Sequence, residues 1–213
     1  MAAIEAVLYD FGGVFTISPF AAVHEGSDEL GLERDTVFEV LFGPYDADTD
    51  HPWHRLERGE VSLVDARAEL VALASERGLE HDPFTFLSRL GGEDHQRAEV
   101  VERALAIKAT GVRTALVTNN IAEFGDGWRR MVPVDELFDV IIDSSQQGVR
   151  KPDPAIFSAA LDALGVAAAD SVFLDDYAGN VAAAERIGLR AILVEADRLR
   201  AFDELERLLA NGA

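Results

Sequence analysis

The chain has 213 residues, enough for one substantial hydrophobic core or for a core domain carrying a smaller inserted one. Its 48% hydrophobic residues indicate a globular protein, and its net charge of −20 argues against nucleic-acid binding, which needs clustered Lys and Arg. Because the sequence has no cysteine, disulfides, thiolate metal sites and cysteine nucleophiles are excluded.

The first ten residues, "MAAIEAVLYD", have the pattern of neither a signal peptide nor a membrane span. They lack a basic region, and Glu5 and Asp10 interrupt the apolar residues well short of the ~20 that a span needs. We therefore expect a cytoplasmic protein with no membrane partner.

The first predicted strand is Ala6–Asp10, a buried apolar run that ends at an aspartate followed by two glycines. Residues 17–93 contain no further strand run but several helical patterns. One of them is "SLVDARAELVALASERG", in which Ser62 and Asp65 have capping-box-like spacing and Gly78 is a stop signal. We predict that residues 17–93 are a helical insertion lying over the carboxyl end of the first strand, where open α/β sheets bind ligands.

The remainder of the chain alternates amphipathic helical patterns with short apolar runs. Helices are predicted at about 94–109, 120–131, 153–164, 178–187 and 197–210, and strands at Thr114–Thr118, Val140–Ile142, Val172–Asp175 and Ala191–Val194. Strand runs without polar alternation suit a parallel sheet that is buried on both faces. The sequence therefore predicts a doubly wound α/β core, residues 1–16 and 94–213, interrupted by the insertion.

Polar residues follow the predicted strands at the edge where their carboxyl ends meet. They are Asp10, Thr118, Asn119, Asn120, Asp175 and Asp176, with Lys151 in the loop after the third strand. Each alone is more simply a turn residue or a helix cap, but a parallel sheet brings all of these loops to one crevice. Converging carboxylates with only oxygen ligands predict a hard cation, Mg²⁺, and a metal beside a lysine and an aspartate suits phosphoryl transfer.

Four stretches in this order resemble the motifs of the haloacid dehalogenase (HAD) superfamily of hydrolases. They are "DFGGVF" with Asp10, "LVTNN" with Thr118, "VRKPDPAIF" with Lys151 and "FLDDYAGN" with Asp175 and Asp176. Within the superfamily, "RKP", "DD…N" and the segment "ERGEVS" are similar to the glucose-1-phosphate phosphatases and to the N-terminal phosphatase domains of epoxide hydrolases. The insertion resembles the helical cap that the family places after its first motif.

The resemblance implies a role for each matching residue. Asp10 would be the nucleophile that forms an aspartyl-phosphate, and it would bind Mg²⁺ together with the Gly12 carbonyl and the Asp175 and Asp176 carboxylates. Thr118 and the Asn119 amide would hold phosphate oxygens, Lys151 would neutralise the nucleophile and the phosphate, and Asn180 would orient the metal ligands. We also expect the backbone at Gly12 and Gly13 to turn tightly beside the bound ligand.

Gly12 departs from the common form of the first motif, in which an aspartate at this position protonates the leaving group. Loss of such an acid costs roughly 10²- to 10⁴-fold in rate for a poor leaving group. We favour a phosphatase acting on a small phosphorylated metabolite, with His24, His54 or water as the acid, or with a substrate whose leaving group needs none.

Two alternatives remain open. A 2-haloacid dehalogenase releases halide without a proton, although those enzymes use no metal and the pair Asp175 and Asp176 argues against them. A non-catalytic phosphate-binding protein would keep the pocket without turnover, and a two-component receiver domain is disfavoured by its motif order and its shorter length. His51, Trp53 and His54 are predicted to be packing or specificity residues of the insertion, since their spacing does not match a zinc site.

Overall fold

The computed structural model describes residues 3–125 and 127–211. Its centre is a five-stranded, all-parallel sheet with the strand order β3-β2-β1-β4-β5. The strands are β1 (Ala6–Tyr9), β2 (Arg113–Thr118), β3 (Val140–Asp143), β4 (Ser171–Asp175) and β5 (Arg190–Leu193). The predicted α/β class and all of the predicted strands are confirmed, with small shifts at the strand ends.

Helices fill the stretch of chain between β1 and β2. They are α1 (Pro19–Leu30), α2 (Arg34–Phe42), α3 (Pro52–Glu57) and α4 (Leu63–Glu76), followed by a 3₁₀ segment, Pro83–Gly91. Ser18 and Ser62 accept hydrogen bonds from backbone N–H groups in the first turns of α1 and α4, so both side chains cap their helices. These helices share a hydrophobic cluster of their own that includes Leu41, Phe42 and Leu70.

The remaining helices surround the sheet. They are α5 (Arg97–Ala109), α6 (Val134–Leu137), α7 (Ser144–Gln147), α8 (Pro154–Leu164), α9 (Ala178–Arg186) and α10 (Arg198–Asn211). Successive side chains of β1 point to opposite faces, as the pleat requires. Val7 and Tyr9 therefore join one cluster with residues of α5 and α10, while Ala6 and Leu8 join another with residues of α8 and α9. Coverage of both faces explains why the strands have no polar alternation.

The predicted helix at 120–131 is wrong. The described part of that segment forms two short 3₁₀ turns, Ala122–Phe124 and Trp128–Arg130, and Gly125 between them has a positive φ of 49°. A glycine with that backbone geometry interrupts a regular helix. Residue 126 within this prediction, and residues 1–2 and 212–213 at the ends of the predicted core, lie outside the described residues.

Arg198 contacts both chain segments that connect the sheet to the helices α1–α4. The Arg198 guanidinium at the start of α10 donates to the carbonyls of Val14 (3.4 Å) and Thr16 (3.1 Å), and it forms an ion pair with Asp94. The backbone N–H of Arg198 donates to Gln96 Oε1 at 2.9 Å. The outgoing and returning chain segments are thus held beside each other at one point.

None of the described helices combines the length and the apolar character that crossing a membrane requires.

Candidate active site

The candidate site lies at the carboxyl edge of the sheet, where the strand order reverses beside β1. The chain runs outward from β1 through β2 to β3 and then returns to place β4 against the other side of β1. Such a switch point opens a crevice between the two strand ends. Asp10 directly follows β1 and Asp175 ends β4, so both carboxylates emerge into this crevice.

Lys151 bridges the two carboxylates. Its Nζ lies 2.7 Å from Asp10 Oδ1 and 2.7 Å from Asp175 Oδ2, and the lysine side chain is 1% exposed. Burial alone would lower the pKa of Lys151, but the charges of Asp10 and Asp175 outweigh it and hold that pKa above its usual value. Lys151 is therefore a fixed cation in the floor of the crevice.

Asp175 is completely buried and fully supported. Its Oδ1 accepts from the backbone N–H of Tyr177 at 2.8 Å, and Asn180 Nδ2 lies 3.1 Å from both carboxylate oxygens. Hydrogen bonds to a carboxylate stabilise its ionised form and fix its rotamer. Asn180 lies in the first turn of α9, and its hydrogen bonds orient Asp175.

Asp176 has the opposite environment. Both of its carboxylate oxygens are buried, and neither has a hydrogen-bond partner among the described residues. Burial, reinforced by the charges of Asp175 and Asp10, raises the pKa of Asp176 well above its usual value, and the charge of Lys151 only partly opposes this. Buried carboxylate oxygens without a hydrogen-bond partner are typical of ligands to an ion or an ordered water.

The backbone beside Asp176 leaves room for its carboxyl group. Gly13 has a positive φ of 69°, and a Cβ built there would overlap the Asp176 side chain. Glycine is therefore needed at position 13 for two reasons, the positive φ of the backbone and the close approach of the Asp176 side chain.

The three aspartates have the donor chemistry and the spacing of a divalent metal site. One oxygen from each of Asp10, Asp175 and Asp176 lies within 4.8 Å of the others. Burial, opposed by Lys151 and reinforced by Asp175, raises the pKa of Asp10 to about 7. When all three carboxylates are ionised, one ammonium group leaves two of the three negative charges uncompensated, and a hard divalent ion with oxygen ligands would balance them.

The predicted phosphate-binding residues lie next to this cluster. Thr118 ends β2 and, with Asn119 and Gly12, lines the same cavity as Asp10. The Asn119 side chain also has a structural function, because its Oδ1 accepts from Lys151 N at 2.8 Å and its Nδ2 donates to Lys151 O at 3.0 Å. This paired contact fixes the backbone from which the Lys151 side chain extends.

The cavity above Asp10 has a volume of about 430 Å³ and reaches from the sheet edge into the helices α1–α3. Of the other predicted site residues of the first motif, Gly12 contributes to its wall, where a Cβ would lie 3.3 Å from Pro19 Cδ, whereas Gly13 lines a different cavity together with Asp176. A cavity of this size suits a small organic ligand.

The histidines proposed as the replacement acid lie away from this cavity. His54 is buried, where its Nδ1 accepts from Thr49 N at 3.1 Å and its Nε2 lies 2.8 Å from the Phe42 carbonyl, which requires a proton on Nε2. Burial, together with the charge of Arg150, lowers the pKa of His54 to about 3. His24 lines a different cavity, which Gly13 and Asp176 also line, and neither His51 nor His54 belongs to a three-ligand metal cluster within the described chain.

Sequence reasoning missed a buried ion pair beside Lys151. Arg150 is fully buried, its Nε donates to Glu57 Oε2 at 2.6 Å, and its guanidinium lies 4.4 Å from the centre of the Tyr45 ring. Tyr45 Oη and Trp53 Nε1 each donate to Glu57 Oε1 at 2.8 Å. The pair joins α3 to the loop carrying Lys151, and its members, 93 residues apart, have no sequence pattern that links them.

Comparison with known proteins identifies the family of this chain. A model of the haloacid dehalogenase-like hydrolases matches residues 4–188. The chain is 31% identical over 208 residues to mouse acyl-CoA dehydrogenase family member 10, covering 96% of this chain and 19% of that protein. It is 29% identical over 220 residues to mouse bifunctional epoxide hydrolase 2, covering 97% of this chain and 39% of that protein. The chain thus spans only a fifth to two fifths of these two relatives.

A third relative has a similar length. The sesquiterpene phosphatase astK of Aspergillus oryzae is 28% identical over 207 residues, and the match covers 96% of each protein. Among solved structures, a dehalogenase superposes with a TM-score of 0.65 at 20% identity, covering 99% of both chains, which concerns the fold alone. The family model, which matches most of the chain, shows that this protein belongs to the haloacid dehalogenase-like hydrolases.

Proposed function

We propose that the protein is a Mg²⁺-dependent phosphomonoesterase that uses Asp10 as its nucleophile. The observation that carries this proposal is the arrangement in which Lys151 bridges Asp10 and Asp175 beside the orphaned carboxylate of Asp176. An anion can approach a phosphate dianion only where cations neutralise both groups. The phosphatase named among the relatives supports the same activity.

Asp10, Asp175, Asp176 and the Gly12 carbonyl are the groups we assign to the metal. When bound, Mg²⁺ would neutralise the charge of these carboxylates and of the phosphoryl oxygens. Thr118 and the Asn119 amide would donate hydrogen bonds to the phosphoryl group. Lys151 would neutralise part of the negative charge of Asp10 and the phosphoryl oxygens. Asn180 acts through Asp175, which it orients, and is a positioning residue.

The reaction has two displacements at phosphorus. Asp10 Oδ1 is held by Lys151 and by the Phe11 N–H, so we assign the attack to Oδ2. The Oδ2–P bond forms as the ester O–P bond breaks, and the leaving oxygen departs with the bonding electron pair and takes a proton from water to give the alcohol. Water then attacks the phosphorus of the aspartyl-phosphate, which releases inorganic phosphate and restores Asp10.

We further propose that residues 17–93 act as a cap that selects the substrate and excludes water during the reaction. Phe20, Phe42 and Trp53 from this segment line the same cavity as Asp10, so any ligand on Asp10 would contact them. Closing a site over a reacting phosphate strengthens the electrostatic interactions within it.

The decisive test is release of phosphate from 4-nitrophenyl phosphate by wild type and by Asp10→Asn, with and without Mg²⁺. The amide is a near-isostere but a poor nucleophile, so we expect Asp10→Asn to lose at least ~10³-fold in kcat while its unfolding midpoint stays close to wild type. Asp35→Asn, on the exposed surface of α2, is the matched control and should retain full activity.

Other outcomes would identify the alternatives. Release of halide from a 2-haloacid without Mg²⁺ would indicate a dehalogenase. Phosphate binding without turnover in the presence of Mg²⁺ would indicate a non-catalytic binding protein, and substantial activity of Asp10→Asn would disprove the covalent mechanism.

A further inference from the structure

The cavity above Asp10 is lined mainly by apolar side chains. Beyond the sheet edge its walls include the aromatic residues Phe11, Phe20, Phe42, Trp53, Phe124 and Trp128, together with several leucine, isoleucine and methionine side chains. The rings pack edge to face, with centroid distances of 5.1 Å for Phe11–Trp128 and 5.1 Å for Phe42–Trp53. Such packing leaves ring surface, rather than polar atoms, turned toward a ligand.

Several polar side chains of these walls already have partners within the protein. Tyr45 Oη and Trp53 Nε1 both donate to Glu57 Oε1, and Glu57 Oε2 accepts from Arg150. Thr16 Oγ1 donates to the Ile17 carbonyl at 3.2 Å. A bound molecule would therefore find few free donors or acceptors away from the sheet edge.

Charged groups are also scarce. Of the described residues that line the cavity, only Asp10 and Glu57 carry a charge, and Glu57 is 3% exposed and paired with Arg150. No described lining residue is a lysine, arginine or histidine. A sugar or nucleotide would have to leave several hydroxyl or base groups desolvated and unpaired here, which is costly.

We propose that this cavity binds the organic part of an apolar phosphomonoester, the phosphate of a long-chain or polycyclic hydrocarbon alcohol. The phosphate would lie on Asp10 and Lys151, and the hydrocarbon would fill the space between the aromatic walls. This substrate class rests on the proposed phosphatase activity.

A homologous series of n-alkylphosphonates, from butyl to octyl, tests the cavity by calorimetry in the presence of Mg²⁺. These probes keep the charged head constant and need no turnover. Burial of each methylene should tighten the Kd about fourfold until the cavity is full. A Kd independent of chain length, or tighter binding of glucose 6-phosphate than of octylphosphonate, would overturn the proposal.

Hydrolysis of 4-nitrophenyl phosphate, measured on the same preparation, separates this inference from the proposed function. Hydrolysis together with a flat chain-length dependence would refute the apolar substrate and leave the phosphatase standing. A steep chain-length dependence without hydrolysis would refute the phosphatase and support the apolar ligand.

Phe124 provides a variant that tests the cavity without disturbing the core. It lines the cavity and is 49% exposed, which places it at the mouth, while Leu30 at the end of α1 is 50% exposed and lies outside this cavity. Phe124→Ser should reduce the gain in affinity from butyl- to octylphosphonate at least several-fold, and Leu30→Ser should leave that gain at the wild-type value. Equal effects of the two substitutions would show that the hydrocarbon binds elsewhere.

Discussion

Gly12 and Gly13 lie just after Asp10, the proposed nucleophile, and the structure places different constraints on the two glycines. Gly13 has a left-handed backbone and touches the carboxyl group of Asp176. Gly12 has no such conformation, and a Cβ there meets only Pro19 within 4 Å. The sequence suggested a tight turn at both residues, but the collision with Asp176 depends on a loop more than 160 residues away and required the structure.

Gly13→Ala should weaken Mg²⁺ binding by displacing Asp176. The control is Gly31→Ala, because Gly31 has nearly the same φ, 66°, with no atom within 4 Å of a built Cβ. Both variants should lose about 1 kcal/mol of stability from the left-handed backbone, measured by denaturant unfolding. Only Gly13→Ala should lose Mg²⁺ affinity in calorimetry, and equal losses would contradict the role of Asp176.

The absence of an acid at Gly12 predicts a strong dependence on the leaving group. The structure supplies no histidine at the described cavity wall to replace that acid. We expect aryl phosphates with acidic leaving groups to react ~10²- to 10⁴-fold faster than alkyl phosphates, measured as kcat under saturating conditions. Similar rates for both classes would reveal a substitute acid, and substitution of His24, which lines a cavity shared with Asp176, would be the first step in locating it.

At the scale of elements, the Glu57–Arg150 pair connects α3 to the loop that carries Lys151. The Glu57 side chain is 4% exposed, and the Arg150 side chain is fully buried. Ser144 Oγ also donates to the Glu57 carbonyl at 2.6 Å, so both the side chain and the backbone of Glu57, at the end of α3, are bonded to side chains of the core. The helices between β1 and β2 are therefore attached to the core next to Lys151 as well as at Arg198.

Removing one member of this pair should be strongly destabilising. Glu57→Leu leaves the Arg150 charge buried and should cost about 3 to 5 kcal/mol in the free energy of unfolding. The double variant Glu57→Leu with Arg150→Met should recover much of that loss. The exposed pair Asp28 and Arg34 is the comparison, and Arg34→Met should cost less than about 1 kcal/mol. A cost for Glu57→Leu as small as that of Arg34→Met would show that the buried charge is solvated.

The elements differ in how far local sequence determined them. The strands were predictable because apolar runs buried on both faces have a distinctive pattern, and α4 and α8 because capping residues precede them. The segment 120–131 was not, because Gly125 and the packing of Trp128 on Phe11 override its helical composition. Asp10, Lys151 and the Asp175–Asp176 pair were placed at one edge by topology alone, whereas the Glu57–Arg150 contact depends on tertiary packing.

At the scale of the whole molecule, the net charge of −20 opposes the approach of a phosphate ester. Screening shortens the range of that repulsion, with a Debye length of about 30 Å at 0.01 M salt and about 10 Å at 0.1 M. We expect kcat/KM for a phosphate dianion to rise between these salt concentrations at saturating Mg²⁺. Mg²⁺ affinity should fall over the same range, whereas a decrease of kcat/KM would mean that local positive potential dominates at the cavity mouth.

Arg198 has a consequence for how this protein can diversify. The chain leaves the sheet near Thr16 and returns near Asp94, and the same guanidinium holds both places. Any segment whose two ends fit these contacts with Arg198 can replace the helices between β1 and β2 without changing the strand order of the sheet. Evolution, or an engineer, can therefore exchange the helices between β1 and β2 while the three aspartates and Lys151 stay where they are.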